Sequence, residues 1–184
     1  MKRILRLITI FIFLFSLAQT DVFAQKKSRK MLKADKAFEM EEYVRAIELY
    51  KKAYKKTKIR AIKSEIIFKQ AECFRLSGNI KRAENYYKRA IRAKYDAAIV
   101  YLRYADALRM QGNYDEASEQ YQEYLKNCGI TKEESLLLAT DKLKVKRYIH
   151  GELGLRSCAF AIKWKDVPTR YIVELMPIIN NRTV

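Results

Sequence analysis

The chain holds one histidine and three cysteines, and that scarcity limits the chemistry it can do. His150 stands alone beside Gly151, and Cys73, Cys128 and Cys158 lie far apart, so spacing assembles no two-histidine metal site, no CxxC pair and no triad with its own base. A Gly-rich phosphate loop and a nucleophile elbow are missing too. Each cysteine reads as a small buried apolar residue, and the three permit one long-range bridge in an oxidising compartment. No catalytic residue, cofactor or metal is expected, and the chain is not read as an enzyme. What recurs instead is charge. Asp35, Glu72 and Asp106 share one offset; three positions on come Phe38, Arg75 and Arg109, with Met110 beside the last. Arginine offers a planar fork of donors, and acids beside it can hold the backbone and charged side chains of a peptide. The same acid and arginine, three apart on a helix, can instead pair with each other for about 0.2–0.5 kcal/mol. Both readings stay open, and these seven residues form the candidate protein-binding set.

The elements that position them are written as a repeat. Ala71, Phe74, Gly78, Ile80, Ala83, Tyr87 and Ala90 fall at the offsets of Ala105, Leu108, Gly112, Tyr114, Ala117, Tyr121 and Tyr124, 34 residues later. A first unit fits with Ala34, Ala37, Tyr43, Ala46, Tyr50 and Ala53. Each unit reads as two antiparallel helices, alanine methyls allowing close approach and a tyrosine filling the space beside them with its hydroxyl near water. Gly78 and Gly112 suit the left-handed residue that ends a first helix. One hairpin cannot bury its apolar face alone, so neighbours stack into a short right-handed solenoid of an all-α chain, with first helices lining the inner wall. The first unit carries Glu41 and Glu42 at the Gly-Asn positions and is three residues longer, absorbed within 51–66 by a lengthened helix or a looser connection.

Past 130 the pattern weakens. Thr131 and Glu134 resemble a capping box, a helix follows to about Ile149, the stretch HGELG at 150–154 reads as a break, and LRSCAFAIKW at 155–164 reads as a final helix. Residues 170–179, RYIVELMPII, read as a lone strand. The expected organisation is a leader at 1–24, three repeats at 27–130, a further helical pair or cap at 131–165, and at 170–184 an extended tail or the truncated start of a β domain.

The leader is a basic lead of Lys2, Arg3 and Arg6, an apolar run from Leu7 to Ala18, and small residues Val22 and Ala24 before a cut that makes Gln25 the first mature residue. The apolar run is short for a transmembrane helix of about 20 residues, and none is expected in the mature chain. The formal charge is +17, of which the leader supplies little, and the excess favours acidic protein surfaces, anionic lipids or nucleic acid. Export makes nucleic acid the partner not expected, and a nucleic-acid-binding helical array the remotest alternative. Basic runs at 51–60, 87–94 and 142–147 place much of the charge on second helices and near the C-terminal end.

The segments QAECFRLSGNIKRAENYYKRAI and YADALRMQGNYDEASEQYQEYL resemble tetratricopeptide repeats through Ala71, Gly78, Ala83 and Tyr87 and their counterparts Ala105, Gly112, Ala117 and Tyr121. The order of parts is similar to the front of large Bacteroidetes envelope proteins, in which such repeats precede a β-propeller and an OmpA-like domain and some members serve type IX secretion and gliding. The resemblance implies a non-enzymatic periplasmic scaffold, possible outer-membrane association, and other envelope proteins or peptides as partners. The alternative is a structural envelope adaptor that meets lipid or wall-associated assemblies through its basic face.

Overall fold

The computed structural model describes residues 28–136 and 141–165, and every regular element among them is an α-helix. The leader and the expected extended segment at 170–184 lie outside the described residues. In chain order the helices are α1 (Arg29–Glu39), α2 (Tyr43–Lys56), α3 (Arg60–Leu76), α4 (Ile80–Arg92), α5 (Ile99–Met110), α6 (Tyr114–Asn127), α7 (Lys132–Leu136) and α8 (Lys142–Trp164). Three hairpins, α1–α2, α3–α4 and α5–α6, stack through the α2–α3 and α4–α5 contacts, and α8 lies on the last hairpin, mainly along α6. This is the all-α repeat solenoid expected from the 34-residue pattern.

The alanines at the repeated offsets do what their size allows. Ala34, Ala46, Ala71, Ala83, Ala105 and Ala117 are all fully buried where helices meet, and Tyr50, Tyr87 and Tyr121 are the largest side chains without any exposure. Gly78 and Gly112 adopt φ of +80° at the ends of α3 and α5. The following amide then reaches back across the turn, Asn79 N to Phe74 O at 2.8 Å and Asn113 N to Leu108 O at 3.0 Å.

The first hairpin makes the same turn without the glycine. Glu42 N donates to Ala37 O at 2.9 Å, and Glu41 takes the left-handed conformation at φ 59°. A side chain with a Cβ pays about 1–2 kcal/mol for that conformation. Glu41→Gly is therefore expected to raise stability by about 1 kcal/mol, read as an increased midpoint in urea with an unchanged slope; a lowered midpoint would mean that Glu41 holds the turn by a contact worth more than the backbone relief. The three extra residues of this unit are absorbed by a lengthened helix, since α3 has 17 residues and α5 has 12.

The C-terminal part corrects the sequence expectation. HGELG does not break a helix: α8 runs without interruption from Lys142 to Trp164, and the interruption falls earlier, where Asp141 accepts from Leu143 N at 2.8 Å and caps the new helix. The glycines serve closeness. A Cβ on Gly154 would lie 2.3 Å from Tyr121 Cζ, and one on Gly151 would lie 2.9 Å from Tyr124 Cδ1. Packing against α6 therefore outweighs the low helix propensity of glycine. The capping box at α7 is present in both directions, Thr131 N to Glu134 Oε2 at 2.8 Å and Glu134 N to Thr131 Oγ1 at 3.2 Å.

Candidate protein-binding site

The repeated acids sit on α1, α3 and α5, and each accepts a hydrogen bond from the core tyrosine 15 residues downstream. Tyr50 Oη donates to Asp35 Oδ1 at 2.6 Å, Tyr87 Oη donates to Glu72 Oε1, and Tyr121 Oη donates to Asp106 Oδ1 at 2.7 Å. The expectation that these hydroxyls stay near water is thus overturned. The rings are wholly buried and a carboxylate stands within reach of each hydroxyl, so a phenol that brings its O–H into the core is satisfied there. Burial first, and then the facing carboxylate, push all three phenols well above their ordinary pKa.

A cation from the next unit completes the first two rungs. Lys69 Nζ lies 3.0 Å from Asp35 Oδ1, and Arg103 Nε lies 3.9 Å from Glu72 Oε1. Lys69 and Arg103 are themselves 34 residues apart, so the cation belongs to the repeat as fully as the acid does. At the third rung His150 of α8 takes the place, its Nε2 2.7 Å from Asp106 Oδ1, and Arg103 Nη1 approaches Asp106 Oδ2 at 3.7 Å from the other side. The single histidine therefore joins the capping helix to the repeat ladder.

The arginines are tied to the same rungs. Arg75 forks onto Glu72, Nη2 to Oε2 at 2.7 Å and Nε to Oε1 at 3.3 Å, which is the intrahelical pairing. Arg109 does not follow suit; its Nε donates to Tyr121 Oη at 3.1 Å. Phe38, in the first unit, meets Tyr43 edge-on at 5.9 Å and lies beneath Lys69 Nζ. Met110 is 63% exposed. Asp35, Glu72 and Asp106 are thus joints between units, whereas Phe38, Arg75, Arg109 and Met110 keep surface on the same helices.

The cysteines show no chemistry of their own. Among the described residues all three are free thiols, Cys73 and Cys158 buried. Burial pushes the Cys73 thiol up to about 12, away from the thiolate a nucleophile needs. No group of three His, Cys, Asp or Glu side chains converges as a metal site among the described residues, and none of their helices is long and apolar enough to cross a membrane.

No curated protein sequence matches the chain. Residues 68–129, covering most of the second hairpin and all of the third, match the family model of the tetratricopeptide repeat. The fold is similar to the crystal structure of the Sgt2 tetratricopeptide domain from Aspergillus fumigatus, with a TM-score of 0.57 at 16% identity over 79% of this chain and 85% of that one. Repeat signature and hairpin geometry agree: residues 68–129 carry the tetratricopeptide-repeat signature, and the described helices have the fold of a tetratricopeptide-like solenoid.

Proposed function

We propose that the chain is a non-enzymatic protein-binding scaffold of the cell envelope that lays a partner segment along the wall formed by α1, α3 and α5. The observation that carries this reading is the closed ladder beneath that wall. Because the acids are already held by tyrosines and by cations of the next unit, Arg75 and Arg109 are fixed in place before any partner arrives, and little side-chain freedom is lost on binding. Phe38 and Met110 supply apolar anchors beside them. The leader supports export to the periplasm, and the order of parts supports a place in a secretion or gliding complex, with outer-membrane association as the corresponding location.

The test places a photo-crosslinking residue at Met110 of the full chain in intact envelopes. A discrete protein adduct is expected, on a chain beginning at Gln25. Arg75→Ala with Arg109→Ala should reduce the adduct at least fivefold, since a hot-spot arginine contributes more than about 1 kcal/mol. The fold should stand, because Glu72 keeps Tyr87 and Arg103, and Asp106 keeps Tyr121 and His150. An adduct of undiminished yield in the double variant would remove the first-helix wall from the binding mechanism.

A further inference from the structure

The second helices carry a different site. Between α2 and α4 opens a cleft of about 280 Å³, floored by Gln70 of α3. Lys52 and Lys55 of α2 line one wall and Arg89 of α4 lines the other. Among the described residues none of the three has a carboxylate within ion-pair distance. Lys51, on the same wall, is already engaged by Glu48 at 2.7 Å. The Arg89 guanidinium lies 4.6 Å over the Tyr86 ring, so its face is covered while its N–H edges stay available.

The floor tells what kind of anion fits. Gln70 is only 4% exposed, and its amide nitrogen is identified by its partner, the carbonyl of Ile47 at 3.4 Å, which can only accept. The Gln70 carbonyl oxygen has no donor among the described residues, and a buried acceptor calls for one. Inorganic phosphate and phosphate headgroups bring acceptors above all; a peptide brings carboxylates together with backbone N–H donors.

We infer that the α2–α4 cleft binds an acidic peptide segment of a partner protein, with carboxylates on Lys52, Lys55 and Arg89 and a backbone N–H donating to Gln70. The site shares no side chain with the first-helix wall, so the chain has two separate places for two partners.

The experiment uses the full mature chain at about 150 mM salt, where charges on an open surface are screened beyond about 8 Å. The probe is a fluorescein-labelled peptide of four glutamates around one tyrosine, followed by anisotropy. Lys52→Glu with Lys55→Glu should weaken binding at least tenfold, while the charge-matched control Lys144→Glu with Lys146→Glu on α8 should change it less than threefold. Gln70→Met, which keeps the volume and removes the carbonyl, should weaken the peptide at least threefold. Inorganic phosphate, and vesicles containing phosphatidylglycerol, serve as competitors and should displace the peptide only weakly. Equal losses in the cleft variant and the control would show diffuse attraction and overturn the proposal. Displacement of the peptide by phosphate or by vesicles at comparable anion concentration would overturn it in favour of a phosphate ligand. A Gln70→Met variant that binds as the parent does, with circular dichroism unchanged, would remove the peptide N–H from the site and with it the argument for a peptide. The first-helix wall is tested separately by the Met110 crosslink, which reads none of the cleft residues, so failure here leaves that wall untouched.

Discussion

Raising the pH above 10 is expected to unfold the chain steeply, with tyrosine ionisation and loss of helix occurring together. Tyr50, Tyr87 and Tyr121 have no exposed surface, and ionising any of them would place a phenolate against a carboxylate in a dry site. Burial, and then that carboxylate, raise the pKa of each in the folded chain. A raised folded pKa means that the stability is fully present below the ordinary phenol value of about 10 and is lost as the pH rises beyond it. Each unbound proton costs about 1.4 kcal/mol per pH unit, so three such tyrosines lower stability by about 4 kcal/mol for each unit above 10. A domain of ordinary stability, about 5–15 kcal/mol, does not survive much beyond pH 12. Absorbance of tyrosinate and far-ultraviolet circular dichroism, followed in one titration, check this. If the full tyrosine complement ionised near pH 10 with the helical signal retained, the hydroxyl–carboxylate rungs would not exist in solution.

The second large effect is expected at Gly154. Alanine favours a helix over glycine by about 1 kcal/mol, so propensity alone makes Gly154→Ala stabilising. The added methyl would lie 2.3 Å from Tyr121 Cζ. Tyr121 cannot swing aside cheaply, because its hydroxyl donates to Asp106 and accepts from Arg109. Overpacking costs about 1–3 kcal/mol, and here it displaces α8 and stretches the His150–Asp106 contact as well, so the net change should be a loss of at least 1 kcal/mol. A melting temperature lowered by several degrees, with faster hydrogen exchange across Lys142–Trp164 than across α1 and α2, is the expected result. Gly151→Ala should cost less, since its nearest contact is 2.9 Å. A Gly154→Ala chain as stable as the parent would show that α8 is not seated on α6 as described.

Tyrosine rungs and close-packed glycines also mark where the sequence stops being legible. The alanine, glycine and tyrosine offsets follow from helix geometry alone, and Ala71, Gly78, Tyr87 and their counterparts stand where that geometry requires. The rungs escape a reading of the sequence because each half has a plausible meaning by itself: an acid on a helix face suggests a ligand, and a tyrosine hydroxyl suggests water. Only the folded hairpin brings residues 15 apart into contact. Gly151 and Gly154 mislead for a related reason. In isolation glycine reads as an end of helix; a neighbouring ring that leaves no room for a Cβ gives it a use inside one. The first-helix arginines are located by their offset, whereas Gln70 belongs to a cleft made by three helices and has no periodic signal.

The rung also governs how such an array grows. The second and third units each hold an acid that faces forward and a cation, Lys69 or Arg103, that faces back. A duplicated unit therefore arrives with both halves of its own joint, and no new complementarity has to evolve at the seam. Growth by copying stays compatible until a unit lacks the cation. At 137, one period after Arg103, the chain has Leu, and Asp106 is met by His150 from a helix that is not a copy. In polymer terms, His150 is an end group: among the described residues it meets the last acid of the ladder from outside the repeat.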